Sequence, residues 1–281
     1  MMTKQPGVAG FKPLRKKKRL YLLSLCGGFR HRRLFHHIET FVMFIGYPRS
    51  GHTLVGSLLD AHPNAIISDE VNALRVLEAG FSKNQLFYLL LRNSRRLAES
   101  GRQRTGYTYD IAGQWQGRCD ELLVIGDKMG GASATRLRAK PFLLPNLERK
   151  LGVKTKLVHV IRNPYDIIST ISLRLNFTVE QSSDRFFSLC QAVNEIKTQT
   201  NSDVHDLRHE ALIADPKGVM KAVCDFLHIS SPDAYYEACA SIVFKSPHKS
   251  RYEVPWTPEL INAVKHKMNS FQFLEGYSYH D

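Results

Sequence analysis

From Phe41 onward the chain alternates short apolar runs with longer amphipathic stretches. The run Phe41 to Ile45, closed by Gly46 and Pro48, is rich in β-branched and aromatic residues and predicts a buried strand. Four similar runs follow: AIIS from Ala65, LLVIG from Leu122, KLVHVI from Lys156 and VHDL from Val204. Thr53 to Leu59, Glu70 to Ala79 and Asn84 to Leu91 have helical character, as do Asp215 to Ile229 and Pro258 to Met268 in the C-terminal part. Strands alternating with helices at this spacing predict an α/β fold built from βα units on a parallel sheet flanked by helices, with a helical C-terminal part. The polar, Arg-rich stretch from Arg92 to Arg118 carries Gly101, Gly106, Gly113 and Gly117 and predicts a long excursion over the surface.

The length of 281 residues, 43% of them hydrophobic, suits one substantial domain, placed at residues 41–281. The net charge of +13 is concentrated ahead of it. Residues 1–40 hold ten Lys/Arg against Glu39 alone and carry +9, leaving +4 for the rest. A body so modestly basic suits an anionic small ligand as well as a polyanion; no nucleic-acid partner is expected. Residues 1–40 read as a basic, loosely ordered arm that the fold should tolerate losing, with weak contact to an anionic membrane surface as one use. The run RKKKR from Arg15 with LYLLSLC after it resembles the start of a secretion signal, but the apolar stretch is short and no A-x-A-like site follows. The expected location is cytoplasmic, with a membrane-associated or secretory one as the alternative. Cys26, Cys119, Cys190, Cys224 and Cys239 are scattered and form no C-x-x-C pair, which points to neither zinc nor a disulfide framework.

Candidate chemistry gathers first at Gly46 to Thr53, GYPRSGHT, between a predicted strand and a predicted helix. There backbone N–H groups and the helix dipole can hold an anion. The segment fits G-x-x-x-x-G-K-[ST] except that His52 occupies the lysine position, which argues against nucleoside triphosphate hydrolysis. With LLDAHP (Leu58 to Pro63) after it, YPRSGHTL resembles the 5′-phosphosulfate-binding loop of sulfotransferases. The resemblance implies a P-loop-like sheet, Arg49 on the 5′-phosphate and transferring sulfuryl group, and amides and a hydroxyl from Ser50, Gly51, His52 and Thr53.

A second motif lies in KLVHVIRNPYDIIST, from Lys156 to Thr170. An apolar strand ends in Arg162, then Asn163 and Pro164 supply an N-cap and a first helical residue. The segment resembles the family's 3′-phosphate motif, with Arg162 as its arginine and Thr170, or neighbouring Ser169, as its hydroxyl. The bland readings are a structural ion pair for Arg162 and a helix back-bond for Thr170. RHEALIADP from Arg208 resembles an architectural segment of the family, in which Glu210 caps a helix. PHKSRY (Pro247 to Tyr252) sits where the family closes a loop over the 3′-phosphate, with Lys249 and Arg251 of suitable charge.

The resemblance implies 3′-phosphoadenosine 5′-phosphosulfate (PAPS) as co-substrate, adenosine 3′,5′-bisphosphate as product, no metal, and a small-molecule, carbohydrate or peptide acceptor sulfated on O or N. It implies Glu70, in the Ser68-Asp69-Glu70 segment, as general base, in the manner of tyrosylprotein and carbohydrate-type members, with Lys128 directed at the sulfuryl oxygens. Either carboxylate could instead cap the next helix. Two other classes stay open: a P-loop kinase-like phosphotransferase, with Asp127 after LLVIG holding Mg²⁺, and a polyanion-binding protein using the N-terminal arm with Arg92, Arg95, Arg96, Arg102 and Arg104.

Overall fold

The computed structural model describes residues 14–104 and 106–281. In chain order its elements are α1 (Leu14–Arg30), β1 (Thr40–Ile45), α2 (His52–Asp60), β2 (Ala65–Asp69), α3 (Ala73–Glu78), α4 (Lys83–Glu99), the short strands β3 (Gln103–Arg104) and β4 (Tyr107–Thr108), and β5 (Val124–Lys128). There follow α5 (Gly130–Ala139), α6 (Leu143–Leu151), β6 (Lys154–Ile161), α7 (Pro164–Leu175), α8 (Val179–Gln199), β7 (Asp203–Arg208), α9 (His209–Ala214), α10 (Pro216–Leu227), α11 (Asp233–Ser241) and α12 (Pro258–Met268). Helix starts follow local chemistry. The Asn163 side chain accepts from the Tyr165 N–H, with Pro164 at the first helical position, and Ser82 and Thr178 close capping boxes with Gln85 and Gln181.

β2, β5, β1, β6 and β7 lie side by side in that order, every pair parallel. Residues alternate between the sheet's two faces. Phe41, Met43 and Ile45 of β1 therefore join a core with α4 to α8 and α12, while Val42 and Phe44 join one with α2, α10 and α11. With every strand pointing the same way, the ends of β1, β2, β5, β6 and β7 share one edge of the sheet, where open parallel sheets bind ligands. The five strands sit where the apolar runs predict them.

Two stretches differ from the expectations. Arg92 to Glu99 continue α4, and the rest of the supposed surface excursion is tied down by a buried carboxylate. Asp60 accepts from the Ile67 N–H at 2.6 Å, the Ser94 hydroxyl at 2.8 Å, the Gly117 N–H at 3.0 Å and the Arg102 guanidinium. A buried carboxylate is stable only with such partners. The segment thus runs over the surface as expected, with most of the described residues from Gln103 to Arg118 exposed, but it is pinned to the body at Arg102 and Gly117. Within residues 1–40, Met1 to Pro13 lie outside the described residues, but α1 packs along α4, and Phe35 and Ile38 are buried. Phe35 meets Phe87 edge-on at 5.7 Å. Residues 14–38 thus belong to the packed structure and not to a loose arm. Removing residues 1–38 should cost on the order of 3–5 kcal/mol from the loss of Phe35 alone, read as a fall in Tm. An unchanged Tm would show that the segment adds nothing to the core.

Candidate functional site

The loop after β1 is shaped by backbone conformation. Arg49 and Gly51 are both left-handed, with φ of 70° and 103°, and α2 begins directly after them. Such alternation turns consecutive N–H groups inward to make an anion-binding concavity. Gly51 has a second reason to lack a side chain, since a Cβ there would lie 2.4 Å from the His209 ring. His52, in the position of the missing lysine, is turned into the fold. Its ring approaches the Ile45 carbonyl at 3.3 Å and the Ser50 hydroxyl at 3.2 Å, meets Phe44 edge-on, and fills the space left by Gly46 and Gly130. Burial, then Lys128 and His159, hold its pKa down to about 3, so the ring is neutral. The Ser50 hydroxyl is buried as well, within 3.2 Å of the Tyr47 carbonyl. His52 and Ser50 thus brace the loop through their side chains and offer an anion only their backbone. Arg49 lines the cleft. Burial, then neighbouring Arg174, lowers its pKa, while Tyr109 and Glu70 act the other way.

Lys128, at the end of β5, is buried. Its ammonium pairs with Asp69, lies 3.2 Å from Glu70 Oε1 and donates to the Thr53 hydroxyl at 3.3 Å. Its stem lies against Gly56 of α2, where a Cβ would come within 3.1 Å of Lys128 Cγ. Lys128 is therefore no solvated lysine. The two carboxylates at the end of β2 have different fates. Asp69 also binds Arg104 at 2.7 Å and is only 12% exposed, whereas the Glu70 side chain is 59% exposed and lines the cleft. Glu70 is left-handed at φ 58°, an uncommon state for a non-glycine residue. Asp127 holds that turn, its buried carboxylate accepting from the Val71 N–H at 3.0 Å and the Ala73 N–H at 2.8 Å. Burial raises Asp127 to about 6. Asp127 is committed to backbone amides and His52 stands where a lysine would be needed, and both count against the phosphotransferase reading.

Arg162, at the end of β6, donates to the Arg49 carbonyl at 3.2 Å and to the His248 carbonyl. It joins the β1 loop to the segment around Lys249. Among the described residues its buried Nε has no partner, and neither has His209 Nδ1 beside it. Thr170 donates to the Asp166 carbonyl at 2.7 Å, the expected back-bond, yet also lines the cleft and meets Ser250 Oγ at 3.0 Å. Lys249 lines the cleft. Ser169 and Arg251 do not join this group. The Ser169 hydroxyl accepts from Trp256 Nε1 at 2.9 Å, and Arg251 is buried behind α7 against Asp166 and the Ser278 and Asp281 carbonyls. Asp166 is held above the usual carboxylate range by burial, against the pull of Arg251. Glu210 has the architectural role expected of it, accepting from the Asn163 N–H at 2.8 Å and the Tyr277 hydroxyl at 2.7 Å.

Arg49, Glu70, Lys128, Arg162 and Thr170 thus line one cleft of about 1580 Å³ on the C-terminal edge of the sheet. That volume exceeds the roughly 300–1,000 Å³ usual for one small ligand and leaves room for a nucleotide beside an acceptor. The sequence reading missed part of its wall: Tyr107 and Tyr109 on the β3–β4 hairpin, Phe244, and Arg174 and Arg185. Only Arg174 left a readable signal, four residues after Thr170 on the same helix face. Of the arginines offered for polyanion binding, Arg102 and Arg104 are committed to Asp60 and Asp69. Among the described residues no group of three or more His, Cys, Asp or Glu could hold a metal ion.

Residues 154–233, covering β6 to the start of α11, match a family model described as the sulfotransferase family. Several solved structures align with the chain. A sulfotransferase domain from the curacin biosynthetic pathway aligns at 13% identity and a TM-score of 0.51, over 84% of this chain and 99% of that one. The sulfotransferase domain of the Synechococcus PCC 7002 olefin synthase aligns at 16% identity and 0.47, over 82% and 88%, and mouse sulfotransferase SULT7A1, complexed with PAP, at 14% and 0.46, over 83% and 84%. No curated protein sequence matches the chain.

Burial sets a pH dependence. His52 and His209 are both held down to about 3, so the unfolded chain binds their protons first as pH falls below about 6.5. The folded state should lose stability from there down toward pH 3, by up to ~1.4 kcal/mol per pH unit for each histidine. Asp127, raised to about 6, acts oppositely between about 4 and 6. Chemical denaturation across this range should show the net acid loss, with a shallower slope in His52→Gln. An identical slope would mean that His52 is protonated in the fold.

Proposed function

We propose that this chain, an enzyme of the sulfotransferase class, takes its sulfuryl group from PAPS and passes it to a hydroxyl or amine of a small-molecule, carbohydrate or peptide acceptor, with Glu70 as general base. The observation that carries the reading is the division of labour after β2: Asp69 is held by two cations, while Glu70 is presented to the cleft beside Lys128.

The residues present suit an anion with two phosphate groups. The Ser50 to Thr53 amides and the Thr53 hydroxyl form the cradle for the 5′-phosphosulfate. Arg162, with a buried N–H unspent, forms the 3′-phosphate side with Thr170 and Lys249. Ser169 and Arg251 support that side from behind. Arg49 and Lys128 supply positive charge where the sulfuryl oxygens and leaving phosphate gain negative charge, the largest contribution that fixed electrostatics make. Glu70 takes the acceptor proton as the acceptor's lone pair forms its bond to sulfur. The bond from sulfur to the 5′-phosphate oxygen breaks with its electron pair leaving on that oxygen. The products are the sulfated acceptor and adenosine 3′,5′-bisphosphate. Protein side chains supply every charge in this scheme, so no metal is invoked.

Two measurements test the donor and the base separately. Adenosine 3′,5′-bisphosphate should bind more tightly than 5′-AMP, and Arg162→Ala should remove ~1.5–3 kcal/mol of that preference. Equal affinities of the unaltered protein for the two nucleotides would sink the donor assignment. Glu70→Gln should lower turnover by roughly 10² to 10⁴ with little change in nucleotide affinity. Normal turnover in Glu70→Gln with collapse in Asp69→Asn would move the base by one residue.

A further inference from the structure

Helix α1 packs in reverse of an ordinary surface helix. Its inner face against α4 is made of Ser24, Gly27 and Gly28, all buried, with Gln85 Nε2 donating to the Ser24 hydroxyl at 3.2 Å. The approach needs small residues. A Cβ on Gly28 would lie 2.8 Å from the Asn84 carbonyl, and one on Gly27 would lie 2.3 Å from the Tyr88 ring. The large apolar residues face outward: Leu22 is 61% exposed, Leu25 48% and Phe29 68%. Positions i, i+3 and i+7 form one stripe on a helix, and exposed Lys18 continues it one turn earlier. A contiguous exposed apolar stripe on a folded domain marks an interaction surface.

The charge around it identifies what it fits. From Arg15 to Ile38 the sequence holds eight Lys/Arg and no Asp or Glu. The Arg32 guanidinium stacks on the exposed Phe29 ring at 4.2 Å. Beyond the end of α1, Arg32, Arg33, His36, His37 and Lys83 line a notch of about 670 Å³, met by one carboxylate, Glu121, 3.5 Å from His37. An apolar stripe bordered by cations on a helix matches a bilayer surface, with acyl chains under the stripe and anionic headgroups at the basic side chains. A second copy fits less well, because a twofold contact through this stripe would bring two such basic segments together. Among the described residues no helix is long and apolar enough to cross a membrane, so α1 would lie along the surface.

We infer that the outer face of α1, with the Arg32–Arg33 notch, docks the protein on an anionic lipid bilayer. The test is flotation of the full chain with vesicles of phosphatidylcholine alone and of phosphatidylcholine mixed with phosphatidylserine. The unaltered protein should partition onto the mixed vesicles and scarcely onto the neutral ones. Leu22→Ser with Phe29→Ser should weaken that partition on the order of 10- to 100-fold. Arg32→Gln with Arg33→Gln should weaken it on the order of tenfold or more, the effect of two surface charges. Both variants change exposed side chains, so Tm and binding of adenosine 3′,5′-bisphosphate should hold and separate lost docking from lost folding. No partition of the unaltered protein, equal partition onto both vesicle types, or unchanged partition of the serine variant each overturns the inference. So does a solution dimer that the serine variant converts to monomer while vesicle binding is absent.

Discussion

A buried ammonium cannot be left without counter-charge, and the site is built around that requirement at Lys128. Its partners come from the ends of two other elements, Asp69 and Glu70 after β2 and Thr53 in α2. Satisfying one cation therefore fixes the relative position of the turn after β1 and of Glu70. The preceding residue, Asp127, secures the same junction from the other side of the strand by holding the Val71 and Ala73 amides. Adjacent strand residues point to opposite faces, so two consecutive charged residues serve two separate networks. The left-handed turn at Glu70 persists because both networks hold it.

The same logic recurs at a distance. Asp60, fully buried at the end of α2, gathers donors from β2, α4 and the segment around Gly117. It thereby seats the chain that carries the β3–β4 hairpin, whose Tyr107 and Tyr109 wall the cleft. Arg104 in that hairpin returns to Asp69, so the hairpin is held at one end by the Asp60 group and at the other by the Asp69–Lys128 group. Truncating one member of such a group leaves a buried charge unpaired, which costs more than the pair contributes.

On the other side of the cleft, Arg162 joins loops that are far apart in sequence, bonding the Arg49 and His248 carbonyls. Two side chains expected to stand beside it were diverted. Ser169 serves the Trp256 indole and Arg251 neutralises Asp166. Both hold the segment that positions Lys249, and so support the cleft without lining it.

The sequence by itself determined the five strands and their parallel arrangement, because buried parallel strands read as continuous apolar runs bounded by glycine, proline and polar residues; only the edge strand β7 is mostly polar. It also located the turn after β1, where glycine spacing dictates backbone shape, and Arg162 with its helix start, where Asn163 and Pro164 act on their immediate neighbours. Tertiary structure decided whatever depends on partners distant along the chain. The composition of Arg92 to Arg118 shows a crossing over the surface but not that Asp60 pins it through Arg102 and Gly117. The face that Ser169 and Arg251 present is set by packing against Trp256 and Asp166. Residues 14–38 read as an arm because a helix that packs through serine and glycine, with Leu22, Leu25 and Phe29 outward, inverts the pattern by which helices are recognised. Asp69 and Glu70 are chemically almost alike in sequence. Only the placement of Arg104 and Lys128 commits the first and leaves the second facing the cleft.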